Sequence, residues 1–111
     1  LFEDIQAHLG PDIEIERLID LPGISTPQSD PWIIQVLDIM ARIQGNRPEP
    51  GYVNFFTDAS VLTYAMNNPP TLILGPGEPS QAHQTNEYCV VEKIGRSVDF
   101  YRAIAENWFA S

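Results

Sequence analysis

His83 lies in a polar stretch, Glu78 to Glu87, that follows Gly75-Pro76-Gly77. A neutral imidazole can ligate a divalent metal, and a loop histidine just past an apolar run is placed to do so. Gly75 and Gly77 lack a Cβ, so the backbone between them can approach a ligand closely or take positive φ. A second candidate is Thr57-Asp58, whose hydroxyl and carboxylate could contact a substrate or cap a helix. Each has a plainer reading. Gly-Pro-Gly also makes a tight turn, a single loop histidine is often only solvated, and Glu87 could cap or carry solvent charge. The chain has two histidines, and a catalytic metal needs about three protein ligands, so His83 cannot hold one unaided. His8 reads as a surface residue and Cys89, in an apolar run, as core. There is no Cys-x-x-Cys, Gly-x-Ser-x-Gly, His-Glu-x-x-His or phosphate loop.

The elements that must position these residues follow from the spacing of apolar positions. Leu1, Ile5 and Leu9 recur at fours, with Phe2 alongside, before Gly10-Pro11, which predicts the tail of a helix stopped by those two residues. The alternation Ile13, Glu14, Ile15, Glu16 predicts a half-exposed strand. Pro22 to Asp30 has linker composition. Ser29 or Asp30 then caps a helix with Pro31 at its first position and Ile33, Val36, Leu37, Met40 and Ile43 on one face, ending near Gly45. Tyr52 to Phe56 predicts a short strand. Thr57-Asp58 caps a short helix with Val61, Leu62, Ala65 and Met66 as its apolar face. Thr71 to Leu74, uncharged, predicts a strand buried on both faces and ended by Gly75-Pro76-Gly77. An apolar run, Tyr88 to Val91, leads to a last helix through Ile94, Val98, Tyr101, Ile104, Ala105, Trp108 and Phe109. Strands alternating with helices predict an α/β fold with at least two buried, mainly parallel strands. In such sheets ligands collect beyond the carboxyl ends of the strands, where both candidate loops fall.

Composition sets the outer limits. With 111 residues the chain is the size of one modest domain. Six Lys and Arg against fifteen Asp and Glu leave a formal charge of −9, which repels phosphate backbones and anionic membranes. Nucleic-acid and membrane partners are therefore not expected, and no apolar run is long enough to span a bilayer. The single cysteine forbids an intrachain disulfide and favours a reducing, cytoplasmic setting. The sequence opens on Leu1 without a signal pattern, and the expectation is a segment of something larger.

Three stretches in register carry a resemblance: Phe56-Thr57-Asp58-Ala59-Ser60-Val61-Leu62, Pro70-Thr71-Leu72-Ile73-Leu74-Gly75-Pro76-Gly77, and Ala82-His83-Gln84-Thr85-Asn86-Glu87-Tyr88. With the terminal helix they resemble the C-terminal part of the M20 metallopeptidases, the acetylornithine deacetylase and succinyl-diaminopimelate desuccinylase type of amidohydrolase. The resemblance implies a zinc-aminopeptidase-like catalytic domain with mainly parallel strands and flanking helices, carrying two zinc ions or cobalt, and an inserted lid through which the parent could form a homodimer. Residues 1–22 would be the last helix and strand of the lid, and 23–111 the C-terminal segment of the catalytic domain. His83 matches the family's C-terminal zinc ligand. Gly75, Pro76 and Gly77 match the loop lining the substrate pocket, with Thr57 and Asp58 the turn beside it, and Glu87 takes a supporting role that orients the loop or His83. Phe55-Phe56 departs from the two glycines many members carry before Thr-Asp, which implies narrower backbone access and a differently shaped pocket.

The implied reaction is hydrolysis of the amide bond of an N-acyl amino acid or small peptide. The remaining ligands, the general base and the substrate-binding Arg of the lid lie upstream in the family, so the 111 residues alone are expected to be inactive. Two other readings belong to different classes: a non-catalytic binding or assembly member of the same superfamily, and an independent small acidic interaction domain.

Overall fold

The computed structural model describes residues 2–10 and 12–110. The expectations placed on Leu1 and Pro11 lie outside the described residues. Among the described residues four α-helices follow in order, α1 (Phe2–Leu9), α2 (Pro31–Gln44), α3 (Ala59–Ala65) and α4 (Val91–Ala110), with one 3-10 turn, Pro79–Gln81, before the last.

Helix α2 forms where local signals agree. The Asp30 carboxylate accepts the backbone N–H groups of Trp32 at 2.9 Å and Ile33 at 3.4 Å. Pro31, which has no N–H to lose, occupies the first turn. Gly45 ends the helix at φ 86°, a left-handed conformation that costs a residue without a Cβ little, and its N–H reaches the Ala41 carbonyl. Of the predicted apolar face, Ile33, Val36, Leu37 and Met40 are buried and Ile43 sits at the margin.

The core is where α2 crosses α4, the one pair of helices in contact among the described residues. Val36, Met40 and Phe100 form its centre, and Trp32, Leu72, Leu74 and Ile104 pack around them. Helix α4 uses only part of the stripe its spacing predicts: Ile104 packs on the core. Ser97 and Phe100 are buried, whereas Val98, Trp108 and Phe109 are exposed. Helix α3 likewise turns Val61, Leu62 and Met66 outward. Thr63 faces in, because its hydroxyl bonds that of Thr71 at 3.1 Å.

The expected α/β fold with parallel strands is not what the chain adopts. Among the described residues there is no strand and no sheet. Ile13 to Glu16, Tyr52 to Phe56 and Thr71 to Leu74 carry no regular secondary structure, and of the run Tyr88 to Val91 the last residue opens α4. A strand exists only through hydrogen bonds to a neighbouring backbone, and these segments have none. At Thr71 a side chain does that work: the Thr26 hydroxyl accepts the Thr71 N–H at 2.8 Å and donates to its carbonyl at 2.9 Å. The run still shows one trace of alternation, since Leu72 and Leu74 face the core while Ile73 is exposed. That is burial on one face, not two.

The shape follows from the small core. The radius of gyration is 18.5 Å, against about 13 Å for a compact domain of this length. Among the described residues helix α1 touches no other helix, and Leu18 and Ile19 beyond it are exposed. Among the described residues no helix is long and apolar enough to cross a membrane.

Candidate functional site

The third of the three motif stretches folds as a tight turn. Backbone bonds from Gln81 to Glu78 at 2.8 Å, from Ala82 to Pro79 at 3.2 Å and from Gln84 to Gln81 at 3.2 Å wind the chain up to His83. His83 and Asn86 both take φ 62°, the left-handed region that costs a residue with a Cβ about 1 kcal/mol or more. Asparagine and histidine enter this region more readily than most residues, and a local bond lowers the remaining cost. At His83 that bond comes from Glu87, whose carboxylate accepts the His83 backbone N–H at 3.3 Å. The imidazole is exposed and meets the ring of Phe55 edge to face, with centroids 6.0 Å apart. Glu87 thus bonds the main chain of His83 rather than its ring.

The Gly75-Pro76-Gly77 loop is tied down from both sides. The Tyr101 hydroxyl donates to the Leu74 carbonyl at 2.6 Å. The Cys89 thiol donates to the Pro76 carbonyl at 3.5 Å, and Lys93 on α4 pairs with Glu78. A Cβ at Gly75 or Gly77 would meet open space. These glycines therefore leave the backbone accessible instead of relieving a clash.

Thr57 and Asp58 precede α3. The carbonyl of Thr57 accepts the Ser60 N–H at 3.0 Å, and that of Asp58 accepts Leu62 at 2.9 Å. Asp58 stands at the cap position without a side-chain cap bond, so its exposed carboxylate is not spent on the helix. Thr57 lines an open cleft of about 660 Å³, whose walls include Phe55, Ser60, Leu72, Leu74 and Met40. Gly75, Pro76, Gly77, His83 and Glu87 are not part of its wall.

The stretches are linked through residues that flank them: Phe55, just before the first, meets His83 of the third, and Cys89, just after the third, bonds Pro76 of the second. As a donor set they offer one exposed imidazole. Among the described residues no group of three or more His, Cys, Asp or Glu could hold a metal ion.

Three residues escape the sequence reading. Phe55 is described only as a departure from a pattern, yet it packs on His83. Tyr101 reads as part of an apolar stripe, and nothing in its spacing reveals that its hydroxyl reaches Leu74. Cys89, expected in the core, is exposed; its apolar neighbours Tyr88 and Val90 carry the misleading signal and are exposed too.

Comparison with known proteins bears on the same residues. Residues 3–107 match the family described as Peptidase family M20/M25/M40. An acetylornithine deacetylase from Edwardsiella ictaluri is 38% identical over 74 residues, 67% of this chain and 17% of that protein. One from Vibrio cholerae is 34% identical over 87 residues, 78% of this chain and 21% of its own. One from Pasteurella multocida is 33% identical over 102 residues, 85% of this chain and 24% of its own. The chain thus spans about a fifth of the length of these relatives. No solved structure gives a significant match.

Proposed function

The chain belongs to peptidase family M20/M25/M40, and from that membership we propose that the whole protein carrying it is a metal-dependent amidohydrolase acting on N-acyl amino acids or small peptides. Among these substrates N-acetylornithine comes first, because the relatives bear the name acetylornithine deacetylase. The observation that carries the reading is the family match across residues 3–107, which spans all three stretches around His83.

In this proposal His83 is one ligand of a two-zinc centre whose other ligands come from outside the 111 residues. The bound metal supplies Lewis acidity toward the amide carbonyl. The chain's own residues bind and orient. The left-handed turn at His83, braced by Glu87, fixes where the imidazole projects. The backbone of Gly75 to Gly77 lines the substrate site, open because no Cβ covers it. Thr57 and the uncapped carboxylate of Asp58 are assigned to substrate contact by the same reading, and Phe55 narrows the approach beside the imidazole. Residues 1–22 belong to a separate lid, a division supported by the isolation of α1 from the other helices.

The test is hydrolysis of N-acetylornithine and other N-acyl amino acids by the whole protein, with zinc or cobalt and after chelation. Absence of metal-dependent hydrolysis overturns the proposal. His83→Asn separates the ligand from the backbone, since Asn accepts positive φ while lacking the imidazole. Its activity should fall by more than the ~10–100-fold that loss of an outer hydrogen-bond partner costs. Full activity in that variant removes His83 from the metal.

A further inference from the structure

Among the described residues no strand lies beside the Gly75–Gly77 loop to hold it, and although Pro76 fixes its own φ, the glycines on either side carry no side chain to anchor the backbone. A loop that presents backbone to a ligand must nevertheless keep that backbone in place, or each binding event bears the cost of ordering it. Helix α4 supplies what the loop lacks. Its Tyr101 hydroxyl donates to the carbonyl of Leu74, the residue immediately before Gly75, at 2.6 Å. Two turns earlier on the same helix, Lys93 pairs with Glu78, the residue immediately after Gly77. The loop is therefore gripped at its two ends by one helix, and that helix is anchored in the core through Phe100, the neighbour of Tyr101.

The two grips are unequal. Both grips are open to solvent, with Tyr101 47% exposed and the Lys93 and Glu78 side chains 39% and 44%, and between long, flexible side chains an exposed ion pair contributes little. The phenol bond is short, spans 27 residues of sequence and fixes a main-chain atom. The rigid ring also loses little freedom in making it.

We infer that Tyr101 is a positioning residue for substrate binding: its hydroxyl holds the Leu74 carbonyl so that the Gly75–Gly77 backbone stands ready beside the His83 turn. The inference rests on reading that loop as substrate-lining. Tyr101 touches neither substrate nor metal, so its effect falls on affinity and not on the chemical step. A uniform loss of binding raises KM and leaves kcat unchanged.

The experiment is Tyr101→Phe in the whole protein, which removes one oxygen and keeps the ring. The expected result is a KM about three- to tenfold higher, the factor that the net contribution of one hydrogen bond converts to, with kcat and bound zinc unchanged. The order parameters of the Gly75, Gly77 and Glu78 N–H vectors, read by 15N relaxation, should fall. Tyr101→Leu, lacking the hydroxyl and the ring, should match Tyr101→Phe in KM. Unchanged order parameters and unchanged KM in Tyr101→Phe overturn the inference. So does an equal fall in kcat at constant KM, which places the hydroxyl in the chemistry. If the wild-type protein hydrolyses nothing, the functional proposal fails, and the relaxation measurement alone decides whether Tyr101 holds the loop: unchanged order parameters overturn the grip and lowered ones support it. Should Tyr101→Phe not fold, Lys93→Met tests the other end of the grip, and unchanged order parameters at Gly75, Gly77 and Glu78 there overturn the two-ended clamp.

Discussion

Glu87→Ala distinguishes two ways a carboxylate can serve a metal-binding histidine. A carboxylate that bonds the imidazole sets its tautomer and orientation, and losing it costs about 10–100-fold in metal affinity. Glu87 instead accepts the backbone N–H of His83, at 3.3 Å and in an exposed position. That distance lies at the long end for an N–H···O bond, and hydrogen bonds to charged groups with good geometry are worth ~1.5–3 kcal/mol. A contribution of about 0.5–1 kcal/mol is a reasonable measure for this longer, solvated one. Its work is to offset part of the cost of holding His83 at φ 62°, which is itself about 1–2 kcal/mol. Losing it lets the turn populate other conformations, and affinity falls by the fraction lost. With His83 ligating zinc as proposed, the expected outcome for Glu87→Ala is a zinc affinity about two- to fivefold weaker, measured on the whole protein by titration against a competing chelator. Glu87→Gln keeps an acceptor oxygen and should weaken binding by less than about twofold. A loss of tenfold or more in Glu87→Gln would refute the reasoning, because only a carboxylate acting on the ring or the metal is so sensitive to its charge. No change in Glu87→Ala would show that the turn stands without it.

Two further outcomes concern what holds the site in place. Thr26→Val removes both bonds to the backbone of Thr71 at nearly constant volume. Net contributions of ~0.5–1.5 kcal/mol per bond predict a loss of about 1–3 kcal/mol, read from the urea midpoint at constant m-value; a shift under ~0.3 kcal/mol would show that water replaces the hydroxyl without cost. Phe100→Ala empties the centre of the α2–α4 contact, where Phe100 is 6% exposed, and should cost about 3–4 kcal/mol in thermal or urea unfolding.

Helix α2 was legible from the sequence because everything that makes it is local: Asp30 and Pro31 at one end, Gly45 at the other, and an apolar face at helical spacing. The strands were not, because alternation or an uncharged run describes the side chains of a strand and says nothing of the backbone that must lie beside it. Thr71 to Leu74 keeps its inward leucines and bonds to the hydroxyl of Thr26, 45 residues away. The amphipathic faces of α3 and α4 failed for a related reason. Both are apolar on more than one side, so which side turns inward depends on a partner: Thr71 draws Thr63 inward, and the groove beside Met40 draws Phe100.

The candidate residues divide the same way. His83, Glu87 and the Gly75–Gly77 loop could be singled out because their chemistry is carried by residue type and order. Phe55, Tyr101 and Lys93 could not, because what each does is a contact across 15 to 28 residues with a group whose own type is unremarkable: an imidazole edge, a backbone carbonyl, a surface carboxylate. It follows that the residues nearest the proposed chemistry are not the ones that decide how firmly it is held. If Tyr101 and Thr26 fix the two ends of Thr71 to Leu74, as their bonds to its first and last residues imply, substitutions at either should lower the amide order parameters of Gly75 and Gly77 more than Glu78→Ala does.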